Sequence, residues 1–417
     1  MKLENLHEAV EFGAKMREEF SLQKGETFLN NGSFGAVPNC VQEVQRRFRE
    51  EIERHPDDWY RRSIYKYWHE SQKAVADFMH CDPQDLVCVQ NATTGLNTVL
   101  KCCPYKPGDI LMYTTLTFRP IAYTCQATAD LYEGVKTLEM EIKFPISSDD
   151  EICEKYEDFF KSNPNTKIAI LDAITSPSAV VMPLKRLVTL CHRYGVLALV
   201  DGAHAPGVLP INLTELGADA FIGSFHKWMF TPRGCAILYV KREHHAWVHP
   251  LVTSWNHGLS LEKKFYIVAT DDQTPFITAK YAVEFYQRIG GMDKIISYTS
   301  KLASEAHVYI LKKLKAEPLQ IPQSMESPTM RVIRLPDLSQ YPCTLEGSIA
   351  FHTDIRYKYN IQCAIEVIQG HLHLRISTQV YNTLEEYKRL ADCLLEVIQA
   401  DKNYKTSSTR SLTDRIY

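Results

Sequence analysis

The stretch Val196-Leu-Ala-Leu-Val-Asp-Gly-Ala-His-Ala-Pro-Gly207 decides how the rest of the chain is read. Its first half is a continuous apolar run, the pattern of a strand buried on both faces in a parallel sheet. The run ends in a carboxylate, Asp201, followed by a turn rich in Gly and Pro. Open α/β sheets bind ligands at the carboxyl ends of their strands, so Asp201 stands where a site is expected. A pyridinium nitrogen needs an anion of this kind to stay protonated. A strand-terminal Asp is also a common helix cap or metal ligand, so it decides nothing alone.

Downstream lies Phe221-Ile-Gly-Ser-Phe-His-Lys-Trp-Met-Phe-Thr-Pro-Arg-Gly234, with Lys227 at its centre and the apolar run Cys235–Val240 after it. Phe225, His226, Trp228 and Phe230 flank the lysine. Desolvation among such neighbours favours the neutral amine that attacks an aldehyde. The competing reading is a lysine snorkelling between packed rings. A strand-end Asp followed by a desolvated Lys suggests pyridoxal phosphate.

Val-Asp-Gly-Ala-His-Ala-Pro-Gly, Gly-Ser-Phe-His-Lys-Trp and Pro-Arg-Gly together resemble the class V aminotransferase family of pyridoxal-phosphate enzymes, in particular its isopenicillin N epimerase-like and cysteine C–S lyase branch. Further marks follow in the family's order: Phe28-Leu-Asn-Asn-Gly-Ser-Phe-Gly35, Asn91-Ala-Thr-Thr-Gly95, Asp172-Ala-Ile-Thr-Ser-Pro177 and Leu374-Arg-Ile-Ser377. The resemblance implies the α/β fold type I of pyridoxal-phosphate transferases: a large domain with a mostly parallel sheet between helices, and a smaller α+β C-terminal domain. It implies pyridoxal 5'-phosphate joined to Lys227, with Asp201 at the ring nitrogen and His204 near the phenolic oxygen. Thr93, Thr94, Ser224 and His226 are implied phosphate ligands, and Phe118 falls where the family stacks a Tyr or His on the ring. Arg375 matches the arginine that holds the substrate α-carboxylate, and Asn31 is implied to meet the substrate. Thr270 stands in Thr270-Asp-Asp272, where relatives usually have Thr-Arg-Asp; it would reach a phosphate, typically the partner subunit's, which implies a homodimer. Two departures are plain: Asp271 replaces that Arg, and Ala173 stands where relatives commonly have His.

The residues themselves support parts of this. Asn91-Ala-Thr-Thr-Gly95 follows the strand-like run Leu86–Gln90 and opens a helix, and a helix N-terminus with hydroxyls is an anion site. The same pattern is an ordinary Thr cap. In Leu372-His-Leu-Arg-Ile-Ser377 the alternation puts Leu372, Leu374 and Ile376 on a buried face and Arg375 on the other, free to reach across a cleft. A planar guanidinium there can grip a carboxylate bidentately.

At 417 residues the chain exceeds the size at which one hydrophobic core stops growing, so it is divided into an N-terminal arm (1–30), a large domain (31–279) and a small domain (280–417). Helices are expected over Glu4 to Phe20, Asn39 to Arg54 and Arg61 to His80, before strands and helices alternate up to the Asp201 run. Strands are expected over Met330 to Leu335, Gly347 to His352 and His371 to Ser377. A net charge of −3 with no dense Lys/Arg tract gives no footprint for nucleic acid or an anionic membrane, so the expected partner is a small molecule, which the resemblance implies is an amino-acid substrate. The acidic N-terminus is no secretory signal and no run reaches the length of a membrane span, so the chain reads as cytoplasmic. Twelve scattered cysteines without Cys-x-x-Cys read as reduced thiols, and no metal site is expected.

The reaction is the least determined part. Removal of the α-proton is common to every outcome; a β-sulfur leaving group makes the outcome C–S elimination. Desulfurases add a nucleophilic cysteine on a mobile small-domain loop, and the nearest candidates, Cys343 in Tyr341-Pro-Cys-Thr-Leu and Cys363 in a helix-like stretch, lie in no Gly/Ser-rich loop of that kind. The reading is therefore a C–S lyase acting on cysteine, a cysteine conjugate or a sulfoxide, with an epimerase second, then a desulfurase or aminotransferase. A catalytically silent cofactor-binding protein is the alternative from another class.

Overall fold

The computed structural model describes residues 10–413, with side chains described as far as Asp401. The expected helix from Glu4 therefore lies partly outside the described residues; within them, helix covers Ala14–Arg17.

A short strand, β1 (Thr27–Phe28), precedes seven longer ones: β2 (Leu86–Val89), β3 (Ile110–Thr114), β4 (Lys136–Met140), β5 (Thr166–Asp172), β6 (Leu197–Asp201), β7 (Ala220–Ser224) and β8 (Ala236–Val240). The seven form one sheet in the order β2-β8-β7-β6-β5-β3-β4. The neighbours from β7 through β4 pair in parallel, whereas β8 runs antiparallel to both β7 and β2. This is the mostly parallel sheet expected of fold type I. The apolar runs make the strands: β6, β7 and β8 are buried almost throughout, because helices cover both faces.

After β4 the chain returns to the other side of β3, so β3 and β5 are neighbours from which the chain leaves in opposite directions. Ligands bind at such a switch point, beyond the carboxyl ends of the strands. A hydrogen bond from Thr117 Oγ1 to Asp172 Oδ2 (3.1 Å) spans the crevice. Two close approaches fix the floor behind it. A Cβ on Gly202 would lie 2.1 Å from the Phe221 ring, and one on Gly35 would lie 2.1 Å from the His226 carbonyl. Any larger residue at either place would push the N-terminal turn or β7 away from the site.

The second sheet comes from the C-terminal third: β9 (Glu317–Pro318), β10 (Met330–Arg334), β12 (Ala364–Ile368) and β13 (His371–Ser377), in the antiparallel order β12-β13-β10-β9. Between them β11 (Ile361–Gln362) pairs in parallel with β1, which ties the N-terminal segment to this region. Gly13 N donates to the Val380 carbonyl at 2.7 Å from the same segment.

The strand expected over Gly347 to His352 is a helix, Leu345–Tyr359. Thr344 caps it by accepting the Gly347 N–H at 3.2 Å, and Gly347, Ser348, Phe351 and Ile355 form its buried stripe at helical spacing. The strand reading is overruled by that cap and stripe. The strand sits later, at β12, and Cys363, expected in a helix, lies buried just before it. The alternation on β13 is also not what its burial shows, since His373, Arg375 and Ser377 are as covered as Leu374 and Ile376. Among the described residues, no helix is long and apolar enough to cross a membrane.

Candidate active site

Two carboxylates stand side by side at the strand ends. Asp172 closes β5 and Asp201 closes β6, and the register makes them direct neighbours. Asp201 accepts the Ala203 N–H at 3.0 Å and Asp172 accepts Thr117 Oγ1. Burial pushes the Asp172 carboxyl well above the usual carboxylate range, and the neighbouring Asp201 pushes the same way. Burial raises Asp201 too, while the Ala203 N–H and Lys227 pull it back. Such a pair settles with its protons unequally shared. Asp201, with the lysine and the N–H, is the member better supported as the anion.

Lys227 lies in the short helical turn Phe225–Trp228, directly after β7, so the strand end delivers it to the mouth of the crevice. Its Nζ is 3.1 Å from His204 Nε2. Burial lowers its pKa to about 8; Asp201 opposes this and Arg375 adds to it. The other ring nitrogen of His204, Nδ1, accepts the Trp228 indole N–H at 3.4 Å. An indole N–H can only donate, so Nδ1 is unprotonated. His204 is buried, and burial with Lys227 beside it drives its pKa well down, so its single proton sits on Nε2 and points at the lysine. The imidazole thereby presents a donor to the amine's lone pair, which favours neutral Lys227.

The turn Asn30–Gly35 packs onto the back of this segment. Asn31 Nδ2 donates to the Lys227 carbonyl at 2.8 Å, and Tyr381 donates to Asn31 Oδ1 at 2.8 Å. Asn31, implied by the resemblance to meet the substrate, is fully buried and spends its amide on fixing the lysine's backbone.

Thr93 and Thr94 lie in the first turn of helix Ala92–Cys102. The cap is Asn91 rather than a threonine: its Oδ1 accepts the Thr94 N–H at 2.9 Å and the Thr94 hydroxyl at 3.1 Å. Gly95 lets the helix sit on β7, since a Cβ there would come within 2.9 Å of Ile222. Thr94 and Thr270 line one cavity of about 320 Å³, together with Cys88, Gln90, Leu251 and Val252. Next to Thr270, Asp272 pairs with Arg49 at 2.8 Å and caps the turn at Thr274, so Arg49 compensates one of the two adjacent carboxylates, Asp271 standing where relatives usually have Arg. Ser224 is buried at the end of β7, and His226 Nδ1 is 3.1 Å from the Cys235 carbonyl. Phe118 is 39% exposed at the rim, next to Thr117. A larger concavity, about 720 Å³, lies elsewhere, between Asp77–His80 and Pro206–Asn212, and includes none of these residues.

Arg375 on β13 closes the crevice from the second sheet. It donates to the Ser176 carbonyl and, at 2.9 Å, to Ser33 Oγ, and its NH1 lies 3.2 Å from Glu366 Oε1. Its Nε is buried without a hydrogen-bond partner, so one donor is left for a ligand. Sequence reasoning missed Asp172, Thr117 and Glu366. A strand-terminal Asp signalled the first; nothing local marks the other two.

These residues fit pyridoxal phosphate: a near-neutral buried amine for the aldehyde, a buried carboxylate for the ring nitrogen, and a hydroxyl-bearing helix N-terminus for the phosphate. Residues 36–390 match the family described as aminotransferase class-V. An L-cysteine desulfhydrase of Arabidopsis thaliana is 30% identical over 407 residues, covering 90% of this chain and 89% of that one. A hercynylcysteine sulfoxide lyase of Schizosaccharomyces pombe is 26% identical over 387 residues, covering 90% and 94%. Among solved structures, the cystine C–S lyase C-DES, as a mutant with glycine covalently linked to its pyridoxal-phosphate cofactor, superimposes with a TM-score of 0.79 at 19% identity, covering 91% of this chain and 99% of that one.

Proposed function

The chain belongs to the class-V aminotransferase family and is a pyridoxal-phosphate-dependent lyase, and we propose that its reaction is β-elimination of the sulfur group from cysteine, a cysteine conjugate or a cysteine sulfoxide. The observation that carries this is the Lys227 amine, 3.1 Å from a neutral imidazole and close enough to Asp201 and Arg375 for both to act on its charge.

When bound, the cofactor supplies an electron sink conjugated to the substrate's α-carbon. Lys227 would hold it, Asp201 would keep its ring nitrogen protonated, and Thr93, Thr94, Ser224, His226 and Thr270 would receive its phosphate, with His204 and Phe118 the further candidates to meet the ring. Arg375 takes the substrate α-carboxylate with its unpartnered Nε and so orients the α-C–H. Lys227, its amine made easier to deprotonate by burial, removes that proton and can return it to the departing sulfur. The products are a thiol, persulfide or sulfenate and, after hydrolysis, pyruvate and ammonia.

Direct elimination is favoured over desulfuration by the cysteines. Cys363 is fully buried, and burial pushes its thiol up to about 12. Cys343 is turned to Asp337 Oδ1, at 3.7 Å. Neither stands in a Gly/Ser-rich loop. The working unit is proposed to be a homodimer, supported by exposed Leu251, Val252 and Trp255 beside the Thr94–Thr270 cavity. The proposed domains are the arm 1–30, the cofactor domain 31–279 and the small domain 280–417. The proposed setting is cytoplasmic, in keeping with twelve free cysteines.

Incubating the holoenzyme with cysteine, cystine, S-alkylcysteines and cysteine sulfoxides, and measuring pyruvate and thiol, tests the reaction. Equimolar pyruvate and sulfur product is expected from at least one of them. Exchange of an α-proton for deuterium without pyruvate from any would move the assignment to an epimerase.

A further inference from the structure

The arginine expected to take the substrate carboxylate already faces an anion. Arg375 and Glu366 are 3.2 Å apart, with side chains 3% and 28% exposed. The register of β12 and β13 sets Ala364 opposite Arg375 and Glu366 opposite His373, so Glu366 reaches the guanidinium diagonally across the ladder. The remaining contacts of Arg375, to Ser33 Oγ, Asn30 Oδ1 and the Ser176 carbonyl, are neutral. Just beyond Glu366, Val367, Ile368 and Gln369 line a cavity of about 480 Å³ together with Thr115, Leu116 and Ser178. Those residues belong to the loops that lead to Phe118 and follow Asp172, the two sides of the crevice. At the cavity wall Glu141 and Lys143 neutralise each other at 2.8 Å.

Charge counting gives Glu366 a consequence. With no substrate, one guanidinium balances one carboxylate. A bound amino acid brings its own cationic nitrogen and adds no net charge, but once Arg375 Nε takes the α-carboxylate, one guanidinium is shared between two carboxylates and compensates Glu366 less. Glu366 then acts on whatever the substrate extends past its sulfur as a poorly compensated anion beside the cavity. We propose, building on the lyase reading above, that Glu366 is a specificity-determining residue: it selects cysteine derivatives whose group beyond the sulfur is cationic and disfavours those ending in a second carboxylate. Burial raises the Glu366 pKa while Arg375 lowers it, so the discrimination weakens as the pH falls and Glu366 protonates.

A purely structural Glu366, serving to position Arg375, would change the affinity for all substrates alike. A selecting Glu366 changes their ratio. The probes are S-(2-aminoethyl)cysteine and S-(carboxymethyl)cysteine, near in size and opposite in distal charge. Each is measured on the holoenzyme by kcat/KM for pyruvate release and by calorimetric Kd. The wild type is expected to favour the aminoethyl compound, and Glu366→Gln to shrink that preference roughly tenfold, about 1.4 kcal/mol. Glu366→Lys is expected to reverse it, and the cofactor absorbance of both variants reports that they are folded and loaded. Turnover of both probes with no charge preference, or a preference unchanged in Glu366→Gln, overturns the inference and leaves the lyase reading intact. Binding that shows the Glu366-dependent preference without pyruvate supports the inference and leaves the lyase reading to the wider substrate panel above. No binding of either probe overturns the inference.

Discussion

The floor of the crevice and its far wall are built by different rules. On the floor, each functional group sits at or just past a strand end: Asp172 on β5, Asp201 on β6, and Ser224 and Lys227 at β7. On the wall, one side chain on β13 gathers partners from Asn30, Ser33, Ser176 and Glu366, residues scattered along the whole chain. The floor can therefore hold a cofactor rigidly, since its groups are set by adjacent parallel strands in register. The wall depends on three separate segments meeting at one guanidinium, and it is the part suited to reading a substrate.

Removing Lys227 should have the largest effect and tests whether the floor alone defines the cofactor site. Lys227→Ala is expected to lower pyruvate formation by about 10⁴-fold or more, since it deletes the group that moves the α-proton. Borohydride reduction followed by peptide mapping should no longer fix the cofactor to residue 227. A reducible chromophore persisting elsewhere on the chain would break the assignment.

Asp201→Asn should come next, at roughly 10²- to 10³-fold in kcat, because a neutral amide cannot hold the ring nitrogen protonated. It also carries a pH signature. Cofactor incorporation into the cofactor-free protein follows the neutral fraction of Lys227, so in the wild type its rate should rise with pH through about 8 and then level. The Asp201 anion holds that value up against burial and Arg375, so in Asp201→Asn the midpoint should move to lower pH. A midpoint that stays put would mean the carboxylate does not face the amine.

Arg375→Ala should have the smallest effect and sharpen the contrast. A charged hydrogen bond to a carboxylate contributes about 1.5–3 kcal/mol, so KM should rise about 10- to 150-fold. The cofactor absorbance and its borohydride fixation should stay as in the wild type. Loss of the cofactor in this variant would mean that floor and wall are one unit.

The difference also explains what a reader of the sequence can and cannot see. Parallel strands buried on both faces are contiguous apolar runs, so β6, β7 and β8 show themselves, and with them Asp201 and Lys227 at their ends. The helix opening after Asn91 and the stop after Arg54 follow from local chemistry in the same way, although the cap itself is Asn91 and not a threonine. Helix Leu345–Tyr359 is missed because a six-residue window over Gly347–His352 gives too little length to tell period 2 from period 3.6. Its cap, Thr344, lies outside that window.

By itself the sequence determined the family, the sheet with its strand-end acid and lysine, and the positions of the helix N-terminus and of Arg375, since each is a property of a short contiguous segment. Only the tertiary structure decided that Asp172 stands beside Asp201, that Asn31 serves the lysine's backbone, that His204 presents its proton to Lys227, and that Glu366 shares Arg375. Those are distances between residues far apart in the chain, set by sheet register and by the packing of three segments at one crevice, and no local pattern encodes them.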